Sequence, residues 1–218
     1  MNIDLYPSLL AADTLDLKRS IQSCMDAELT TLHIDIMDMH YVPNLGLNVQ
    51  VCEQINKDFP KTMLNVHLMT LAPEKIIDRL FNLSIHAIAF HPMTTQNTGK
   101  LIEDIQSHGI RAGIAINPFE DIKHFENYLC DYFLVMGVSP GFSGQSFNPS
   151  TYDKIRELKV NTKTKDKPII VDGGVNQENL QQLVRCGVSG CVLGNAIFKN
   201  NHITKNILDI QEFLRSME

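Results

Sequence analysis

Four side chains in this sequence could share one ion or pass a proton: His33, Asp35, His67 and Asp172. His33 and Asp35 lie two apart in the apolar run Thr31–Met37, so on a strand both leave the same face. His67 and Asp172 sit at comparable depth on two other apolar runs. A buried imidazole or carboxylate is costly unless it is paired or bound to a metal. Two His and two Asp make a donor set suited to Zn²⁺, Fe²⁺ or Mn²⁺. The rival reading is a hydrogen-bonded polar network in the core. Ligands on separate strands leave no compact signature, so spacing alone does not decide between them.

The glycines suggest a second kind of chemistry. Gly141-Phe142-Ser143-Gly144, Gly173-Gly174 and Gly194-Asn195 follow three successive apolar runs. Glycine lets backbone N–H groups come close to an anion. One such cluster reads as ordinary turns; three on neighbouring loops predict a phosphate site. Asn195-Ala196-Ile197-Phe198 then predicts a short helix beside it. Met37, Met69 and Met136 fall near the same run ends and read as core packing. His40, His86, His108, His124 and His202 have no evident partner and read as structural or exposed.

Something must hold these residues together. Eight short apolar runs recur along the chain: Ile3–Ser8, Thr31–Met37, Met63–Leu68, Ala87–His91, Arg111–Asn117, Tyr132–Gly137, Pro168–Asp172 and Ser189–Leu193. They are continuously apolar, as strands of a parallel sheet covered on both faces must be. Helical patterns separate them. Leu15–Ile21 starts one after a cap at Asp13 or Thr14, and Val49–Phe59 is the next. Pro73 opens one through Leu80, and Leu101, Ile102 and Ile105 line one ending at Gly109. Asp121–Leu129, Tyr152–Leu158, Leu180–Val184 and Ile207–Leu214 complete the set, and Asn161–Lys167 reads as a polar loop. Eight strand–helix units in one domain over 1–218 predict a (β/α)8 TIM barrel, with an open doubly wound sheet as runner-up. No GxGxxG follows the first run, which weakens the dinucleotide version. In a barrel, chemistry belongs at the C-terminal strand ends, where His33, Asp35, His67, Asp172 and the glycine clusters are expected.

Composition narrows the partners. Lys plus Arg is 19 against 25 Asp plus Glu, a net charge of −6, which argues against broad nucleic-acid binding. No apolar run reaches the ~18–20 residues of a membrane span. Met1-Asn2-Ile3-Asp4 shows no basic-then-apolar leader, and the five cysteines are scattered without a CxxC pair. Both features predict a cytoplasmic protein with reduced thiols.

Several of these residues sit in motifs that occur in order. They are Pro7-Ser8-Leu9-Leu10-Ala11-Ala12-Asp13, His33-Ile34-Asp35-Ile36-Met37-Asp38, Val42-Pro43-Asn44, His67-Leu68-Met69, Pro140 through Phe147, and Val171-Asp172-Gly173-Gly174-Val175. In this the chain resembles the ribulose-phosphate 3-epimerase family over essentially its whole length. The resemblance implies a barrel enzyme of carbohydrate metabolism, in the context of the pentose phosphate pathway, interconverting D-ribulose 5-phosphate and D-xylulose 5-phosphate. It implies one divalent metal, Zn²⁺ before Fe²⁺ or Mn²⁺, at His33, Asp35, His67 and Asp172. It makes Asp35 and Asp172 the acid/base pair as well. Ser8 and His67 would contact the sugar. Gly141, Phe142, Ser143, Gly144, Gly173, Gly174, Gly194 and Asn195 would hold the phosphate. A homo-oligomer, dimer or hexamer, is implied too.

Two positions depart from the family pattern. Met39 stands where Gly is usual, and it would be strained if the backbone there has positive φ. It could also narrow the site. Asn195 stands where Ser or Thr is usual, so a hydroxyl contact is lost. Inversion at C3 beside a carbonyl needs two acid/base groups on opposite faces and a fixed positive charge near the enediolate oxygens. A metal would supply that charge. An allulose-6-phosphate 3-epimerase, or a non-catalytic sugar-phosphate-binding paralogue, are the alternatives. A Schiff-base aldolase lacks its strand-end lysine, since Lys61 and Lys167 precede their strands. Asp35-Ile36-Met37-Asp38 lacks the lysine of the Asp-x-Lys-x-x-Asp decarboxylases.

Overall fold

Strands form where the continuous apolar runs predict them. In the computed structural model, which describes residues 3–217, these are Asp4–Pro7 (β1), Thr31–Met37 (β2), Met63–Met69 (β3) and Ile85–Phe90 (β4). Arg111–Ile116 (β5), Tyr132–Met136 (β6), Ile169–Asp172 (β7) and Gly190–Leu193 (β8) follow. Met1 and Asn2, the start of the stretch read for a leader, lie outside the described residues. All the named strand pairs are parallel, in the order β1-β8-β7-β6-β5-β4-β3-β2. The sheet curls into a barrel whose ends, β1 and β2, meet among the described residues through one bridge between Ser8 and His33.

Each strand buries both faces. Outward residues such as Leu32, Ile34, Val66, Ile88, Ile114, Val135 and Val171 pack under the helices. Inward residues form a second, separate core of Tyr6, Ala87, Ala89, Ala115, Tyr132, Leu134, Met136, Ile170 and Val192. The interior alternates small and large. Gly113 has no side chain because a Cβ there would stand 2.2 Å from the Tyr132 ring. The polar inward residues, by contrast, gather at the C-terminal end.

The covering helices are Leu17–Asp26 (α1), Val49–Asp58 (α2), Ile77–Leu80 (α3) and Thr98–Ser107 (α4). Ser150–Val160 (α5), Gln177–Arg185 (α6), Asn195–Phe198 (α7) and Ile203–Arg215 (α8) complete them. Asparagine starts three of them: Asn48, Asn97 and Asn176 side chains accept the first-turn N–H groups of α2, α4 and α6. Gly109, at φ 71°, follows the end of α4 as expected.

Three helix expectations change. α1 begins at Leu17, because Asp13 Oδ1 instead accepts from Leu15 N at 2.9 Å and leaves Leu15 fully in solvent. The Pro73–Leu80 segment is one 3₁₀ turn, Pro73–Lys75, then the single turn of α3, interrupted by Ile76 at φ −119°. Asp121–Leu129 holds only the 3₁₀ turn Ile122–His124. Its buried residues, Ile122 and Phe125, span one turn while Leu129 is exposed, so no apolar stripe sustains a longer helix.

Candidate active site

The site lies at the C-terminal mouth of the barrel and grows out of the strand register. Asp35 on β2 pairs directly with His67 on β3, and His33 bridges to Ser8 across the seam. Asp172 ends β7 opposite Met136 and Val192. The period of two turns His33, Asp35 and His67 inward together. All four are buried, both histidines completely.

Their atoms converge. His33 Nε2 lies 3.4 Å from Asp35 Oδ1 and 3.5 Å from Asp172 Oδ2. His67 Nδ1 lies 3.4 and 3.3 Å from the same two oxygens. One ligand atom from each residue falls within 4.8 Å of every other. These separations exceed the ~2.8 Å of charge-assisted hydrogen bonds. Neither His33 Nε2 nor His67 Nδ1 has a hydrogen-bond partner among the described residues. Neighbouring ligands held ~2.1 Å from one tetrahedral ion stand ~3.4 Å apart. The donor set therefore fits a divalent cation better than a satisfied polar network.

Electrostatics agree with mutual dependence. Burial opposes charge on the imidazoles, but Asp35 and Asp172 outweigh it, pushing His33 up to about 10 and raising His67. Burial likewise opposes charge on the carboxylates, yet His33 and then His67 hold Asp35 and Asp172 below the usual range. Ser8 Oγ adds a hydrogen bond to Asp35 Oδ2 at 2.8 Å. His67 turns its other nitrogen, Nε2, to His91 Nε2 at 3.0 Å.

Above this cluster opens a cavity of about 290 Å³, lined by Ser8, Asp35, Asp172 and every glycine-loop residue expected from the sequence. Gly141, Phe142, Ser143 and Gly144 come from the loop after β6, Gly173 and Gly174 from that after β7, and Gly194 and Asn195 from that after β8. Gly173 and Gly174 have φ of 101° and 69°. A Cβ on Gly174 would meet the Phe147 backbone at 2.7 Å, so these loops lie backbone to backbone. The N–H groups of Gly173, Gly174 and Asn195 enter no loop hydrogen bond among the described residues. No lysine or arginine among the described residues lines the cavity. Met37, Met69 and Met136 are buried and also form its apolar wall.

The two departures resolve differently. Met39 has φ 63°, the left-handed conformation that glycine favours, but its side chain is exposed and outside the cavity lining. It strains a turn and does not narrow the site. Asn195 lines the cavity at the start of α7, and its amide Nδ2 reaches across to Gly144. Residues beyond the expected set also shape the mouth. Asp38 accepts from His40 N, Tyr41 N and Leu71 N, fixing the loops after β2 and β3. Asn44 Nδ2 donates to the Gly141 carbonyl at 2.7 Å, tying the loop after β2 to that after β6. Gln145 Nε2 donates to the Ser139 and Phe142 carbonyls within the latter. Gln145 and Asn44 belong to ordered motifs but had no assigned role, because such links are invisible to local spacing.

Comparison with known proteins places the chain in a family. The profile of the Ribulose-phosphate 3 epimerase family matches residues 4–198. A protein named ribulose-phosphate 3-epimerase from Buchnera aphidicola subsp. Acyrthosiphon pisum (strain APS) is 34% identical over 199 residues, 89% of this chain and 87% of its own. Its namesake from Escherichia coli (strain K12) is 31% identical over 212 residues, 95% and 94% of the two chains. Among solved structures, KGPDC from Streptococcus mutans superposes with a TM-score of 0.71 at 12% identity over 99% of both chains. 3-Hexulose-6-phosphate synthase gives 0.69 at 13% identity, covering 98% of this chain and 99% of its own. At such identities these two speak to the barrel alone. With the profile matched over nearly its whole length, the chain belongs to the ribulose-phosphate 3-epimerase family.

Proposed function

We propose that this protein epimerises D-ribulose 5-phosphate and D-xylulose 5-phosphate at C3. The reading rests on the named relatives and on one observation: two carboxylates from separate strands approach the same pair of imidazoles at the cavity floor. His33, Asp35, His67 and Asp172 would hold one divalent cation, Zn²⁺ by preference. When bound, it supplies positive charge that stabilises a developing oxyanion. Ionised Asp35 takes the C3 proton from one face and protonated Asp172 gives its own to the other, which leaves the two protonation states exchanged and ready for the reverse direction. Ser8 donates to Asp35 and so holds that carboxylate in one orientation. Met37, Met69 and Met136 keep water from the reacting carbon.

The phosphate binds among Gly141–Gly144, Gly173, Gly174, Gly194 and Asn195. Free N–H groups and the lack of a lysine or arginine among the described lining residues favour backbone capture of the anion. The protein acts on this small substrate in the cytoplasm, without nucleic acid. No helix among the described residues is long and apolar enough to cross a membrane. Exposed Leu45, Leu71 and Met93 on three neighbouring mouth loops support assembly into a homo-oligomer.

The test is turnover of ribulose 5-phosphate against allulose 6-phosphate by metal-stripped protein restored with Zn²⁺, Fe²⁺ or Mn²⁺. Faster metal-dependent conversion of the pentulose is expected. Preference for the hexulose would move the substrate and keep the chemistry. Inactivity on both, in folded and loaded protein, would overturn the epimerase reading.

A further inference from the structure

His91 lies at the end of β4, wholly buried, one strand from the cluster and outside it. Its Nε2 is 3.0 Å from His67 Nε2, and the two rings lie 5.1 Å apart at 38°. One of two facing ring nitrogens must carry the proton and the other a lone pair. His67 Nδ1 points at Asp35 Oδ1 and Asp172 Oδ2, so an ion there would need that nitrogen unprotonated. The proton of neutral His67 then sits on Nε2 and is donated to His91. With that proton on His67, the facing Nε2 of wholly buried His91 presents its lone pair and accepts. The ring of Tyr41 covers His91 at 4.7 Å, and Asn117 Nδ2 donates to the Tyr41 hydroxyl at 3.0 Å. The acceptor is thus clamped from the loop after β2 and from the end of β5. His33 has no such support, since its Nδ1 lacks a partner among the described residues; His91 Nδ1 lacks one too, so the proton His91 carries there is unpaired.

We propose that His91 is a positioning residue: it accepts the Nε2 proton of His67, fixes that ring's tautomer and holds Nδ1 toward the two carboxylates. The inference rests on reading the four-residue cluster as a metal site. The experiment is Zn²⁺ affinity of the full chain by chelator competition, for the native protein, His91→Leu and His91→Gln. Removing a ligand's outer hydrogen-bond partner weakens binding ~10–100-fold. His91→Leu is expected to show that loss, and His91→Gln, which keeps an acceptor, to recover most of it. A packing role alone would lower the melting temperature of His91→Leu and leave affinity unchanged. Nitrogen-15 spectra of the histidines in Zn²⁺-loaded native protein test the same point without mutation. They are expected to show His67 protonated on Nε2 and His91 on Nδ1. Native protein that binds Zn²⁺ no more tightly than His91→Leu, or His91 protonated on Nε2, overturns the inference alone. Native protein that binds no Zn²⁺ overturns it together with the metal reading.

Discussion

Ser8 Oγ donates to Asp35 Oδ2 at 2.8 Å across the seam where, among the described residues, the Ser8–His33 bridge is the backbone pairing that joins the β1 side to β2. A hydrogen bond to a charged acceptor is worth ~1.5–3 kcal/mol, so Ser8→Ala is expected to lower kcat/KM ~10–100-fold. Steady-state kinetics on ribulose 5-phosphate check this. Unchanged kcat/KM would show that the bond does not orient Asp35 for reaction.

Asp35→Asn and Asp172→Asn each remove one of the two proposed acid/base groups. Turnover is expected to fall at least ~1,000-fold in either variant, within the range that general acid–base catalysis supplies. Metal content, measured alongside, separates loss of a base from loss of a ligand. Near-native turnover with full metal would sink the two-base scheme.

Met39 holds φ 63° with its side chain in solvent. A left-handed conformation costs an ordinary residue ~1–2 kcal/mol, of which glycine's greater unfolded entropy returns ~0.5–1 kcal/mol. Met39→Gly is therefore expected to stabilise the fold by ~0.5–1 kcal/mol with activity unchanged. Denaturant unfolding and kinetics measure the two, and a destabilised variant would contradict the strain argument.

The metal-stripped protein is expected to lose stability at both pH extremes. His33 binds its proton more tightly in the fold, at about 10 against an ordinary 6.5. The stabilisation it brings is complete below about pH 6.5 and disappears as pH rises through 10. Asp35 and Asp172, held below the ordinary 3.8, stabilise the fold above that pH and cease to as pH falls through their depressed values. Melting temperature with chelator should thus drop between pH 7 and 10, and Zn²⁺ should remove that drop. A flat alkaline profile in chelator would refute the assignment.

Thiol labelling offers a check on packing. Burial pushes the thiols of Cys24 and Cys52 up to about 12 and that of Cys130 to about 11, and it raises Cys191 as well. Cys186 alone among the five is only partly buried. A thiol reagent at pH 8 is expected to modify one cysteine per folded chain and five after denaturation. Rapid reaction of three or more in the folded protein would mean the helices are not packed as described.

Much of this was legible in the residues because barrel strands are covered on both faces. The run Thr31–Met37 could be bounded correctly, and its period of two put His33 and Asp35 on one side. Helix extents were less legible where burial, not propensity, decides them. Ile122 and Phe125 promise a helix that the exposed Leu129 does not continue. The contribution of His91 was hidden for another reason. A single histidine after Phe90 carries no spacing signal, and its partner lies 24 residues away on another strand. The same holds for Asn44 and Gly141, joined across 97 residues.

The site is divided along the chain. His33, Asp35 and His67 come from the first half, while Asp172 and all the glycine loops come from the second. A ribosome making this protein therefore displays three residues of the cluster long before the fourth exists. Neither half alone carries both carboxylates or any complete cradle for an anion. Co-expressed halves, split in the loop between β4 and α4, would stay silent apart and gain activity only by joining. The enzyme's own turnover would then report barrel assembly, with no fluorescent reporter attached.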